Sequence, residues 1–336
     1  MERIVVYGAG AVGGVIGSRL FASGRDVVAI ARGPHREAIA RDGLRIESAA
    51  GVKVARIPVV GAPGEISWRG DELVVLTMKG QDTEVALDAL EAVAPPTIAI
   101  ACAQNGVENE RLALRRFATV YSIVVQLPAT HLDPGIVVEH SAPVPGSLDL
   151  GRYPDAVDAG ARRLASLLRD GGFSSEALAD ISRWKYAKLL RNLNNSVQAL
   201  FGLGEEETAE IRRRALAEAL AALAAAGIEI IGDAEYDARH DRLITIEPVP
   251  GYPHGGGSSW QSLARSSGSI EANQLNGEIV LLGRLNGVPT PVNEGLRRAA
   301  VAAARTAAAP GGHDPARFLA TLEEWFVPRQ TTNRSG

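Results

Sequence analysis

The stretch WKYAKLLRNLNNS, Trp184 to Ser196, sets lysines and asparagines among leucines that recur at helical spacing. Asn is a poor helix former because its amide competes for nearby backbone groups, so a function should compensate for several of them close together. On a helix Trp184, Lys188, Asn192 and Ser196 follow one another in steps of four and form a single row, with Asn195 beside it. Such a row is either a solvated face or the wall of a cleft. Solvated faces usually carry Glu, Lys and Arg, so the repeated amides favour the cleft. Amides around one ammonium suit a small, oxygen-rich anion. Lys185 faces about a quarter turn away from the row and is expected in solvent.

A second constellation opens the chain. In RIVVYGAGAVGGVIGSRL, Gly8, Gly10 and Gly13 follow a strand pattern and begin a helical one, with Ala9, Ala11 and Val12 between them. Gly8 permits the tight turn, Gly10 lets backbone approach a pyrophosphate, and Gly13 allows close packing of helix on strand. The phosphates would meet the positive end of the helix dipole. At the end of the second strand, where an NAD enzyme carries a carboxylate, stands Arg32, with His35 and Arg36 nearby. A guanidinium pairs with a 2′-phosphate that a carboxylate would repel, which favours NADP(H) over NAD(H). A surface arginine is the alternative.

Five motifs occur in order: YGAGAVGG, LTMKGQD, CAQNGVENE, WKYAKLLRN and SSWQSLARSSGSIEANQLNG. Together they make the chain resemble the ketopantoate reductase (2-dehydropantoate 2-reductase) family across nearly its whole length. The resemblance implies an N-terminal Rossmann-type domain followed by an all-α domain of the 6-phosphogluconate-dehydrogenase-like kind. It implies NADPH-dependent reduction of a 2-oxo acid, foremost ketopantoate to pantoate in pantothenate and coenzyme A biosynthesis. Lys188 matches the family's catalytic lysine, the proton donor to the carbonyl oxygen, and Glu271 the glutamate that binds the substrate hydroxyl and orients the lysine. Hydride attack on a ketone builds an alkoxide, which a positioned ammonium both stabilises and protonates. Lys79 and Asn105 match positions at the nicotinamide and substrate end, Asn192 and Ser196 fall on the substrate side, and Ser259 matches a serine that binds the substrate carboxylate. For Glu271 a surface carboxylate, and for Ser259 a helix N-cap, stay open as readings. Glu108 and Glu110 are expected only to favour a helix dipole. No metal ligands are assigned.

The departures bear on the substrate. Ser196 stands where the family usually has another Asn, Trp260 replaces a methionine-like residue, and Ser262 replaces an aspartate. The stretch HGGG, His254 to Gly257, lacks an Asn that the family often supplies before the serines, and GLGEEE, from Gly202 to Glu207, lacks a polar amide. A site built to hydrogen-bond a hydroxyl loses heavily without its partner, so a different 2-oxo acid or carbonyl is the second reading. A non-catalytic NADP(H)-binding sensor is the third, opposed by the retained Lys188 and Glu271.

These residues need elements to hold them. The first half alternates β-branched runs with helical patterns, the mark of a doubly wound parallel sheet. Strands are expected at Arg3–Tyr7, Asp26–Ile30, Leu73–Thr77, Thr97–Ala101 and Tyr121–Gln126, a hairpin in ESAAGVKVARIPVV, and antiparallel strands at a sheet edge in GIVVEHSAPVPGSLDLG. A helix at Ala156–Asp170 and a strand near Phe173–Ala177 close that half. Beyond Asp180, expected to cap the Lys188 helix, come helical patterns at Glu206–Ala226, Ser259–Leu285, Val292–Ala308 and Asp314–Phe326. The expected division is an NADP-binding domain over 1–178, a helical substrate and catalytic domain over 179–330, and a flexible tail at 331–336.

Composition narrows the class. Of 336 residues 46% are hydrophobic and 22% charged, with a formal net charge of −4 and no basic stripe, which argues against nucleic acid and anionic membrane as partners. Cys102, the sole cysteine, allows no intrachain disulfide and fits a reducing cytoplasm. The apolar run Ala215–Ala226 is too short to span a bilayer and contains Glu218. A small-molecule 2-oxo acid is the expected partner, with a homodimer suggested by apolar faces on the Ala-rich helices.

Overall fold

A computed structural model of the chain describes residues 3–202, 204, 206–240, 243–252 and 256–326. The expected tail at 331–336 lies outside the described residues. The chain divides into two compact units. The first takes the chain up to Asn192 and again from Glu229 until Gly256, and the second takes Leu193–Ile228 and the chain from Gly256 onward. The boundary expected at 178/179 therefore falls inside the first unit, which also keeps the helix bearing Lys188.

In the first unit, β1 (Arg3–Tyr7), α1 (Ala11–Ala22), β2 (Asp26–Ile30) and α2 (Gly33–Asp42) form the opening βαβα run. The hairpin β3 (Leu44–Ser48) and β4 (Gly51–Ala55) follows, then β5 (Val59–Val60), β6 (Leu73–Leu76), α3 (Thr83–Glu91) and β7 (Ala99–Cys102). Next come α4 (Asn109–Leu114), β8 (Thr119–Gln126), β9 (Ala129–Thr130), β10 (Ile136–Glu139), β11 (Ser141–Pro143), β12 (Ser147–Arg152), α5 (Ala159–Asp170) and α6 (Ile181–Asn192).

The main sheet runs β12-β8-β7-β6-β1-β2-β5, parallel throughout except for β12 at its edge. Alternate residues feed opposite faces: Ile4 and Val6 join one core with Leu73 and Val75, while Val5 joins the other with Val74 and Leu76. A sheet buried on both faces explains why its strands read as continuous apolar runs. The edge strands expected in GIVVEHSAPVPGSLDLG part company: β12 lies antiparallel on β8, and β10 joins a second sheet, β4-β3-β10-β9, pairing parallel with β3. The segment Phe173–Ala177 makes only isolated bridges to β12, not a strand.

The second unit holds α7 (Asn194–Phe201) and α8 (Ala209–Ala225). Between these and the rest, α9 (Asp233–Arg239) and β13 (Ile244–Ile246) belong to the segment returning to the first unit, where β13 pairs with β11. The second unit resumes with α10 (Ser258–Ala264), a 3₁₀ turn at Glu271–Asn273, α11 (Asn276–Asn286), α12 (Pro291–Arg305) and α13 (Pro315–Phe326). Its core gathers Val197, Leu200, Ile211, Leu263, Val292 and Leu296. Glu218, the charge within the apolar run, accepts the backbone N–H groups of Val292 (2.8 Å) and Asn293 (2.9 Å) and so caps α12. The single helix expected over Ser259–Leu285 is broken, since Ser266 (φ 50°) and Gly268 (φ 72°) turn the chain left-handed after α10. Among the described residues no helix is long and apolar enough to cross a membrane.

Candidate active site

The site is built on the carboxyl edge of the parallel sheet. β1 sits where the strand order reverses, between β2 and β6, the switch point at which open α/β sheets bind ligands. Gly8 turns there with φ +106°, and a Cβ on it would lie 2.9 Å from the Met78 nitrogen. A Cβ on Gly13 would approach the Gly8 oxygen to 2.2 Å and Thr77 Oγ1 to 2.4 Å, so α1 packs onto the sheet only with glycine there. Gly10 differs: a Cβ would meet nothing closer than His131 Cδ2 at 3.9 Å. It is the N-cap of α1 and offers no side chain to cap the first N–H groups of a 12-residue helix, from Ala11 and Val12 on. An open cradle of backbone donors fits a dinucleotide pyrophosphate.

At the adenosine end the basic residues separate. His35 accepts the Gly135 N–H at Nδ1 (2.8 Å) and donates from Nε2 to the Ala9 oxygen (2.7 Å), which fixes a neutral tautomer. Burial pushes its pKa down further, against the Ala9 hydrogen bond. Arg36 is paired with Glu65 at 3.0 Å. Arg32, at the start of α2, is exposed, and none of the described ion pairs uses it.

Two loops lie further along the same edge. Lys79, half-buried, ends the β6 loop, and Asn105 follows β7, with Gly106 at φ +81° closing the turn. A buried network that sequence reasoning missed ties them together. Gln104 Nε2 donates to the Met78 oxygen and to Thr83 Oγ1, both at 2.8 Å. Thr83 donates to Asn109 Oδ1 (2.8 Å), and Asn109 Nδ2 donates to the Asn105 oxygen (3.0 Å). The sequence signal was Gln104 itself, a polar residue at the buried end of an apolar strand.

The reading of the α6 stretch is corrected at Trp184, Lys185 and Ser196. Trp184 is core, not cleft wall, edge-on to His240 (5.4 Å between centroids) and packed with Tyr236, Ile181 and Val124. Lys185, expected in solvent, is 4% exposed and ion-paired to Glu110 at 2.9 Å. The wheel angle was right, but α6 lies on β8 and that face is covered. Glu110, expected only to favour a helix dipole, is 1% exposed and accepts from Ser122 Oγ at 2.7 Å, whereas Glu108 is exposed. Ser196 lies on α7, past the end of α6 at Asn192, so the row is not one helix. It is fully buried, and its hydroxyl donates to Asn276 Oδ1 at 2.6 Å. Its one hydroxyl proton is thus committed to Asn276, which leaves only acceptor capacity for any other partner.

The other two members of the row are Lys188 and Asn192. Lys188 Nζ donates to Gln126 Oε1 at the end of β8, on the sheet edge that carries the glycine turn and Asn105. Asn192 is buried, and its Nδ2 has no hydrogen-bond partner among the described residues. The helix start is held by Asp155, whose carboxylate accepts the Ser182 N–H at 2.9 Å, rather than by Asp180, which pairs with Arg183.

In the helical unit Glu271 is 4% exposed at the head of the 3₁₀ turn, so it is not a surface carboxylate. Ser259 is fully buried inside α10, and its hydroxyl has no partner among the described residues, which argues against an N-cap role. Ser262 donates back to the Ser258 oxygen at 2.9 Å. Asn195 and Gln198 secure the approach to α10: Asn195 Nδ2 donates to Ser258 Oγ (3.4 Å), and Gln198 Oε1 accepts the Gly257 N–H (3.1 Å). Trp260 packs over Gly256, where a Cβ would lie 2.6 Å from the indole Cγ. His254 and Gly255 of the HGGG stretch lie outside the described residues.

Two family models match the chain: ketopantoate reductase PanE/ApbA over residues 4–155, and ketopantoate reductase PanE/ApbA C terminal over 180–303. A 2-dehydropantoate 2-reductase of Archaeoglobus fulgidus is 29% identical over 301 residues, 88% of this chain and 96% of the relative. One from Pyrococcus horikoshii is 28% identical over 190 residues, 56% of this chain and only 60% of that protein. Among solved structures, a PanE/ApbA family ketopantoate reductase from Ralstonia eutropha JMP134 superposes with a TM-score of 0.75 at 26% identity, covering 91% of this chain and 99% of that one. A D-mandelate dehydrogenase bound to NADH and anilino(oxo)acetate shares the fold, with a TM-score of 0.77 at 23% identity over 91% of this chain and 99% of that one. The chain belongs to the ketopantoate reductase family, NADPH-using oxidoreductases that act between a carbonyl and an alcohol.

Proposed function

We propose that this protein reduces a 2-oxo acid with NADPH, ketopantoate foremost and hence in pantothenate synthesis, with Lys188 as the general acid. The observation that carries the reading is the Lys188 ammonium at the carboxyl edge of the sheet, held by Gln126 on the edge where the glycine turn opens. When bound, the dinucleotide supplies the hydride. Lys188 gives a proton to the carbonyl oxygen and regains one from solvent, so that C=O becomes CH–OH with charge balanced. Asn192 through Nδ2 and Ser259 through its hydroxyl, both without a partner among the described residues, supply donors for the acid's oxygens. Asn105 and Lys79 serve the nicotinamide end, Arg32 pairs with the 2′-phosphate, and Glu271 takes the substrate hydroxyl.

A second reading, a 2-oxo acid other than ketopantoate, is favoured by one observation. Ser196, at the family's amide position, is committed to Asn276 and offers no donor to a substrate hydroxyl. A single panel separates the two: purified protein, NADPH or NADH, and ketopantoate beside aliphatic and aryl 2-oxo acids, read as loss of nicotinamide absorbance. The largest kcat/KM on ketopantoate supports the first reading, and a larger one on another acid supports the second. No loss with any acid sinks both.

A further inference from the structure

We infer that Lys185 is a positioning residue for the Asn105 turn, acting through the main-chain carbonyl of Gln104. The inference rests on the reading of Asn105 as a contact at the nicotinamide end. Lys185 Nζ donates to the Gln104 oxygen at 2.7 Å and the Ile123 oxygen at 3.3 Å, and pairs with Glu110 Oε1 at 2.9 Å. One ammonium thus clamps β8 to the residue immediately before Asn105, and its counter-ion comes from α4, the helix that follows the turn. Glu110 is itself fixed by Ser122 on β8.

Stability alone gives this arrangement little reason to exist. A buried ion pair must offset the desolvation of both charges, and well-packed apolar residues usually serve the fold as well. This pair is also incompletely satisfied, because Glu110 Oε2 has no hydrogen-bond partner among the described residues, and the two residues border a cleft of about 110 Å³ with Tyr153, Ser182 and Arg111. What an apolar pair could not supply is a directional donor to the Gln104 carbonyl. The Gln104 side chain reaches the other ligand loop through the Met78 oxygen, so fixing this one residue fixes both loops. Lys185 and Lys188 leave the same helix, the first holding the turn from behind and the second placed at the sheet edge.

The test is a thermodynamic cycle on the full chain. Lys185→Met with Glu110→Gln removes both charges at nearly constant volume, and Asn105→Ala is made alone and on top of it. Binding of NADPH and of adenosine 2′,5′-bisphosphate, which lacks the nicotinamide, is measured by fluorescence quenching or calorimetry. The charge-free variant is expected to bind the bisphosphate as wild type does and NADPH roughly tenfold more weakly, with Asn105→Ala adding little in that background. Additive losses of Lys185/Glu110 and Asn105, or an equal loss for the bisphosphate, would overturn the positioning role. If the charge-free variant does not fold, Lys185→Met alone, compared with wild type, reads the same NADPH-to-bisphosphate ratio. An unchanged ratio again overturns it. Wild-type protein that binds neither ligand defeats the cofactor reading instead, so the two failures are distinct.

Discussion

The hydroxyl of Ser196 donates to Oδ1 of Asn276, and Asn276 in turn donates to Asn293 at 3.0 Å, a buried polar chain that joins α7, α11 and α12. Asn293 continues it to the Ala215 oxygen and Glu218. Removing the first member strands a buried acceptor, which costs about 1–3 kcal/mol. Ser196→Ala is therefore expected to lower the denaturant midpoint while kcat/KM stays near wild type. A large kinetic loss with unchanged stability would return Ser196 to the substrate site.

Lys188→Ala removes the proton donor from the sheet edge while leaving the glycine turn untouched. Turnover should fall by about 10²–10⁴. NADPH affinity, read by fluorescence quenching, should change little. A variant that still turns over at the wild-type rate would end the general-acid assignment.

Arg32 is exposed, so Arg32→Ala should leave thermal stability unchanged. A charge-assisted hydrogen bond to the 2′-phosphate would be lost, and NADPH should bind at least about tenfold more weakly. NADH, which has no such phosphate, should bind as before, and equal weakening of the two would remove the phosphate argument.

Gly10 and Gly13 make a contrasting pair. Gly13→Ala would drive a methyl to 2.2 Å from the Gly8 oxygen, which should destabilise the fold by about 1–3 kcal/mol. Gly10→Ala has room in the free protein, with its nearest neighbour at 3.9 Å, and should keep the wild-type melting temperature. Its methyl occupies the space a pyrophosphate needs, so dinucleotide binding should be lost. Retained NADPH affinity in Gly10→Ala would place the phosphates elsewhere.

His240 predicts an acid limb in stability. Burial carries its pKa from an ordinary 6.5 down to about 4; Asp149 opposes the shift, and Lys188, Arg239 and Arg191 reinforce it. Above pH 6.5 the ring is neutral in both folded and unfolded chains and adds no slope. As pH falls below that value the unfolded chain takes up a proton that the folded one refuses, until the folded ring titrates near 4. Stability should decline across that window by up to about 3 kcal/mol. Denaturant melts of wild type and His240→Asn over this range should diverge, the variant showing the shallower decline.

The parallel strands were the most legible part of the fold. Arg3–Tyr7 and Asp26–Ile30 were read to the residue because a strand buried on both faces leaves an uninterrupted β-branched run. The helix over Ser259–Leu285 was misread because Leu263 and Ile270, on either side of RSSGS, keep one helical phase, although Ser266 and Gly268 take left-handed turns between them. Of the candidate site, the glycine turn, Asn105 and Lys188 were legible as motifs with a position in the fold. Lys185 was not: helical spacing gives the direction of a side chain but not what lies in that direction, and here it is the edge of β8. The four-step row reaching Ser196 was misread for a related reason. Counting in fours assumed one helix, whereas α6 ends at Asn192 and α7 begins at Asn194.

The return of residues from Glu229 to the first unit has a consequence for how the gene could be cut or recombined. Asp149 on β12 is fully buried, and its carboxylate is gripped by both Nε and Nη2 of Arg239 at 2.7 Å. A fragment ending at residue 178 would keep that carboxylate and discard the guanidinium encoded some 60 codons later, leaving a buried charge with no counter-ion. The nucleotide-binding half is thus not a module that exchange at a single crossover could transplant. It would travel intact only with the helical segment that interrupts it, so the two halves are bound to be inherited together.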